Sequence, residues 1–294
     1  MALTWTQKKA GVMEIIETYY AKALRDAGFV SYKGEGFHWF KVKEELLYKV
    51  HLPLFSPAGA LCIVPLFGVI PLYTWELIAP HRPLRDWTWD MTRGSEHAYS
   101  FQYHVSYQAA ERRLGKMPRP SYAWPKISHW LPNGLYVEHL NTERWGAEIL
   151  DEAIFPLMES VHSPEELYAF HKETNIFCAE CTTEEEYMEK MFDHYKKGAG
   201  CMISQAFADE CLHFRDEKLY PLVQRSMALF RGSCFPKETK EEKNDSQRLR
   251  EHAKLLVAAI ESGDTSIFDV EAEKTKKDML DQIRKKLPDL IIQK

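Results

Sequence analysis

Four of the chain's six cysteines and two of its histidines fall within "NIFCAECTTEEEYMEKMFDHYKKGAGCMISQAFADECLH", residues 175 to 213, a composition that raises metal or thiol chemistry. Cys178 and Cys181 have the C-x2-C spacing of half a zinc site, but Cys201, Cys211 and His213 supply no second close pair. Cys211 and His213 stand two apart, so on a helix they face different sides. Dithiol redox work needs a strand before the motif and a βαβ unit around it, whereas here a helix precedes it. The expectation is six reduced thiols, used as packing between helices, with no metal and no cofactor.

Two other groups carry chemical potential. His51 and His104 each lie on the more polar side of an alternating segment, and His38 adjoins Trp39 in a third. Imidazoles gathered on one sheet face serve as acid and base or as metal ligands, although no carboxylate pattern completes a ligand set here. The second group is the stretch 80–126, which holds eight Lys or Arg against four Asp or Glu in a chain of net charge −5. Arg85, Trp87, Trp89 and Arg93 cluster within it, joining forked cations to large rigid rings. That pairing suits carboxylate, phosphate or a protein surface. The candidate ligand-binding residues are therefore Arg85, Trp87, Trp89, Arg93, Trp39, His51 and His104.

The elements that must position these residues differ between the two halves. Val12, Met13, Ile16, Tyr19, Tyr20, Ala23, Leu24 and Ala27 recur at three and four, a helix with Gly28 as its C-cap. The period then becomes two: "GFHWFKV" and "ELLYKVHL", joined through "KEE", form a hairpin. "ALCIVPLFGVIPLY" at 60–73 is apolar on both faces, a buried strand or strand pair broken at Gly68 and the prolines. "FQYHVSYQ" and the pair "ISHWLP" and "GLYVEHL" add further strands. From about residue 142 the pattern is helical: a helix opening at Thr142, then "SPEELYAFHKET", "TTEEEYMEKMFDHYKKG", "FADECLHFRDEKLYPLVQRSMALFRG", "SQRLREHAKLLVAAIESGD" and "FDVEAEKTKKDMLDQIRKKLPDL". The lysine-rich joint "PKETKEEKNDS" at 236–246 reads as a loop.

The order of a helix ending in "AGF", the hairpin "FHWFKVKEELLYKV", then "EILDEAIFPLMESVHSPEELYAFHKE" and "AIESGD…EKTKKDMLDQIRK" resembles an uncharacterised bacterial family of unknown function. The resemblance implies a bacterial cytosolic α+β protein and no particular chemistry, with 74–126 as an insertion. It agrees with the residue patterns: α+β, an antiparallel sheet with an N-terminal helix, then an all-helical C-terminal half packed on it. Residues 1–141 would hold the helix, the sheet and the long basic aromatic loop, and 142–294 the helices, as one continuous domain.

Length and composition are those of an ordinary globular chain, with 45% hydrophobic and 28% charged residues over 294 positions. No apolar run reaches membrane-spanning length, which points to a cytoplasmic location with no membrane partner. All eight tryptophans and seven of twelve histidines precede residue 146, so recognition is expected in the sheet half. The favoured function is a binding or interaction protein that takes an anionic small molecule or a protein partner, nucleic acid being less favoured. The alternative is a small hydrolase or transferase using the strand histidines. Serine elbows, Walker loops, dinucleotide fingerprints and H-E-x-x-H are absent from the sequence.

Overall fold

A computed structural model describes residues 6, 10, 13, 14, 16–32, 38–52, 54–55, 62–63, 66–72, 150–151, 155–159, 161–197, 205–232 and 240–293. The fold is α+β. The described residues divide into two compact units, one formed by the chain up to Val69 with 150–163 and 283–293, the other by 70–72 and 164–282.

In the first unit a π-helical turn, Glu17–Ala21, runs into α1 (Lys22–Asp26). The extra residue in that turn shifts the helical phase, so Ile16, Tyr20, Ala21 and Leu24 are buried while Ala23 is only partly covered. Gly28 takes the left-handed conformation at φ 84°, and Phe29 N–H donates to Leu24 O at 2.9 Å, closing the helix as its C-cap position predicts. Five strands follow: β1 (Val30–Ser31), β2 (His38–Lys43), β3 (Leu46–His51), β4 (Leu54–Phe55) and β5 (Cys62–Ile63). A sixth, β6 (Leu66–Pro71), has Gly68 inside it, so the break in the apolar run falls before Leu66 and not at that glycine.

The hairpin β2–β3 is antiparallel, with Lys43 opposite Leu46 and Glu44 at φ 55° in the turn. The sheet order is β1-β2-β3-β6, and β4 and β5 form a separate antiparallel pair. A last strand, β7 (Ile292–Gln293), lies parallel to β2, with Val42 opposite Ile292. β1 occupies the same edge of β2 farther along, opposite Trp39 and Phe40, so two short segments from distant parts of the sequence share that edge. The short helix α2 (Phe155–Glu159) completes this unit.

The second unit is helical: α3 (Pro164–Cys178), α4 (Glu184–Lys196), α5 (Gln205–His213), α6 (Tyr220–Gly232), α7 (Lys240–Ser262) and α8 (Ser266–Lys286), whose last residues count with the first unit. The helical stretch from Phe207 to Gly232 divides in two, because Arg215 turns left-handed at φ 52° and Asp216 N–H donates to Cys211 O at 2.9 Å, a C-cap made without glycine. One boundary departs from expectation. The expected loop at 236–246 becomes helix from Lys240 onward. Lys and Glu are good helix formers, and one amphipathic stretch carries them along. The core of this unit includes Cys181, Tyr187, Met191, Phe207, Cys211, Leu222, Leu256 and Phe268. Among the described residues no helix is long and apolar enough to cross a membrane.

Candidate functional site

The β2–β3 register decides which side chains share a face. Lys41 stands opposite Tyr48 and Trp39 opposite Val50, so Trp39, Lys41, Lys43, Leu46, Tyr48 and Val50 belong to one face. Tyr48 O–H donates to Val161 O at 2.8 Å, a buried bond that ties β3 to the segment after α2. That tie brings α2 beside the lysines, where a solvent-open pocket of about 140 Å³ lies between them. Lys41 and Lys43 line it on the sheet side, with Phe29, Tyr48, Phe155 and Met158 as apolar walls. The exposed Glu159 and His162 line its solvent side.

The walls are ordered by ring contacts. Phe29 and Phe155 stack with centroids 6.2 Å apart and planes 25° apart, and the Lys41 ammonium lies 5.8 Å from the Phe29 centroid. Burial lowers the Lys41 pKa from its usual range, the neighbouring Lys43 lowers it further, and Glu159 opposes the shift. Two lysines against one carboxylate give the pocket lining a net positive charge, and a bound anion would oppose the downward shift at Lys41. The arrangement is suited to holding a small anion against an aromatic wall.

No protein-family model matches the chain, and no curated protein or solved structure matches it.

Of the residues singled out by sequence, Arg85, Trp87, Trp89, Arg93 and His104 lie outside the described residues, as do the expected strands at 101–107 and 127–140. Trp39 is only 2% exposed, with the Arg25 guanidinium 5.9 Å from its ring centroid, so its ring is part of the core beside the lysine face. His51 stands opposite His38 in the register, on the other face of the hairpin with Lys49. Two of the three expected histidine positions are thus neighbours. Burial drives the His38 pKa down to about 3, helped by the charge of Lys49, and burial lowers Lys49 to about 7. Lys41, Lys43, Tyr48, Glu159 and His162 are not among the residues that sequence reasoning singles out. Lys41 and Lys43 carry one signal, "KVK" in a strand, which puts two cations on the same face.

The cysteine stretch belongs to the helical unit. α3 ends with Glu180 left-handed at φ 57° and Cys181 N–H donating to Ile176 O at 3.0 Å, so the C-x2-C spacing is a helix C-cap whose second cysteine turns into the core. Cys181 and Cys211 are buried free thiols, each with its pKa pushed up mainly by burial. Among the described residues no group of three or more His, Cys, Asp or Glu is placed to hold a metal ion.

A polar network pins the α5–α6 turn to α3. Asp216 accepts from Tyr168 O–H at 2.5 Å and from Lys172 Nζ at 2.6 Å, and Lys172 also reaches Glu184 at 3.0 Å. Burial would raise the Asp216 pKa, but the bonds from Lys172 and Tyr168 outweigh it and hold the carboxyl below its usual range. Nearby, His171 Nδ1 and Glu210 Oε2 meet at 2.6 Å with both residues buried. These contacts bridge helices, which gives the groups a structural role.

Proposed function

We propose that this chain is a cytoplasmic binding protein that takes a small anionic molecule in the cavity between the hairpin face and α2. The observation that carries the reading is the placement of Lys41 and Lys43 side by side on one sheet face, lining a cavity with an aromatic wall. A like-charged pair in a partly buried site is unfavourable without a counter-anion, and an anion relieves that repulsion. The arginine and tryptophan content of 80–126 is further, sequence-level support for an anion-recognising chain. Buried free thiols at Cys181 and Cys211 suit a reducing compartment.

The test is calorimetric titration with acetate and inorganic phosphate at low salt, on the wild type and on Lys41→Met with Lys43→Met. Binding is expected in the wild type and lost in the double variant, which should melt no lower because a repulsion has been removed. Equal binding by both proteins would place the anion elsewhere.

One observation favours a second reading, a hydrolase or transferase working from the sheet histidines: His38 and His51 are cross-strand partners on the face that also holds Lys49. Stoichiometric zinc, iron or manganese in the purified protein, lost in His51→Ala, would select that reading over the first.

A further inference from the structure

We propose that the ligand of this cavity is a one-ring aromatic acid, a single six-membered ring bearing a carboxylate or phosphate. This rests on the anion-binding reading above and adds the size and shape of what the anion is attached to.

Volume sets the size. The cavity measures about 140 Å³. An engineered apolar cavity of about 150 Å³ holds one benzene molecule. The pocket is open on the side of Glu159 and His162, so a second ring or a long chain would extend past the covered space without gaining further burial, while acetate or free phosphate leaves most of that space unfilled.

The walls set the shape. Phe29 and Phe155 stack at 25° and 6.2 Å, forming an aromatic surface against which a flat ring packs in offset or tilted contact. Tyr48 contributes its ring as a further apolar surface, since its hydroxyl is already donated to Val161 O. Met158 adds a polarisable side chain that adapts to an irregular ligand edge.

The charges set the orientation. Lys41 and Lys43 alternate along β2, placing their Cα atoms about 7 Å apart on one face, a spacing from which two long side chains can converge on the oxygens of one acid group. The Lys41 ammonium lies 5.8 Å from the Phe29 ring centroid, so the site's charge and its aromatic wall adjoin. A ligand whose acid group is bonded directly to its ring, or one atom away, meets both at once. Glu159 on the solvent side disfavours a second acid group pointing outward, which selects against diacids.

The experiment is a calorimetric series on the full chain with benzoate, phenyl phosphate, acetate, inorganic phosphate, benzyl alcohol and 2-naphthoate. Burial of one ring should make benzoate bind about tenfold to a hundredfold tighter than acetate, and phenyl phosphate likewise against inorganic phosphate. Benzyl alcohol and naphthoate should bind more weakly than benzoate. In Phe155→Leu the advantage of benzoate over acetate should shrink while acetate affinity is kept, and in Lys41→Met the advantage of benzoate over benzyl alcohol should shrink. The wild-type series decides the matter even if a variant fails to fold.

Benzoate no tighter than acetate would overturn the one-ring class and leave a site for charge alone. Naphthoate tighter than benzoate would overturn the size. Binding of none of the anions would sink the anion-binding reading itself, and with it this one.

Discussion

At the residue scale, burial of a titratable group has consequences that can be measured. His38 is 8% exposed and its pKa falls to about 3, against 6.5 for an ordinary imidazole. Between those values the unfolded chain binds a proton on this residue that the folded chain does not, so stability is fully present above about pH 6.5 and is lost as pH falls toward 3. Replacing His38 with Gln removes that titration. Thermal or urea unfolding followed from pH 7 to pH 4 should show a shallower loss in His38→Gln, by up to about 1.4 kcal/mol for each pH unit within the window. Identical slopes would mean that the imidazole is solvated. Lys41, the key residue of the candidate site, shows another use of burial. Burial and the neighbouring Lys43 lower its pKa while the Glu159 carboxylate opposes them, so a bound anion would favour its charged form.

At the element scale, helix ends account for most of the boundaries. Thr183 caps α4, its side chain accepting from Glu186 N–H at 3.2 Å, while Glu186 Oε2 accepts from Thr182 N–H at 2.8 Å and from its hydroxyl at 2.9 Å. This is a variant of the capping box, reaching back one residue farther than usual. Thr183→Ala should cost about 1 kcal/mol in unfolding free energy, with Thr183→Ser near neutral, as measured by urea denaturation. Loss in both variants alike would assign the residue a packing role. The capping residues of α4 and Gly28 after α1 were plain in the sequence, because their types suit those positions. Glu180 and Arg215 were not. Each takes a left-handed conformation that its type rarely adopts, and the 6→1 backbone bonds to Ile176 and Cys211 hold it there. That is why the helical stretch from Phe207 to Gly232 divides between α5 and α6.

At the scale of the whole chain, the first unit is discontinuous, and residues near 290 complete the edge of a strand formed near 40. Leu287 is 2% and Leu290 9% exposed, and β7 pairs with Val42 and Lys43. Ending the chain at Lys286 removes both leucines and the pairing. The expected loss is about 3 kcal/mol or more, at roughly 1.5–3 kcal/mol for each buried leucine. Amide hydrogen exchange should report it as faster exchange around Val42 and Lys43, with the α4 amides unchanged. Unaltered protection in β2 would show that the last strand adds nothing to the sheet.

The sequence by itself determined the α+β class, the β2–β3 hairpin and the caps of α1 and α4. Each of these depends on neighbours a few residues apart, whose period or type is written locally. It also placed Cys181 and Cys211 in the packing between helices, since a buried thiol needs no partner that the sequence would have to name. The cavity was a different matter. It depends on Tyr48 meeting Val161, 113 residues away, and on α2 coming to rest beside Lys41 and Lys43. Neither Lys-Val-Lys nor Phe-Pro-Leu-Met-Glu signals a site alone, because lysines on a strand ordinarily face water and a short apolar helix ordinarily packs. Only the tertiary structure set two strand lysines beside an aromatic pair drawn from two distant segments, forming the pocket for which an anionic ligand is proposed.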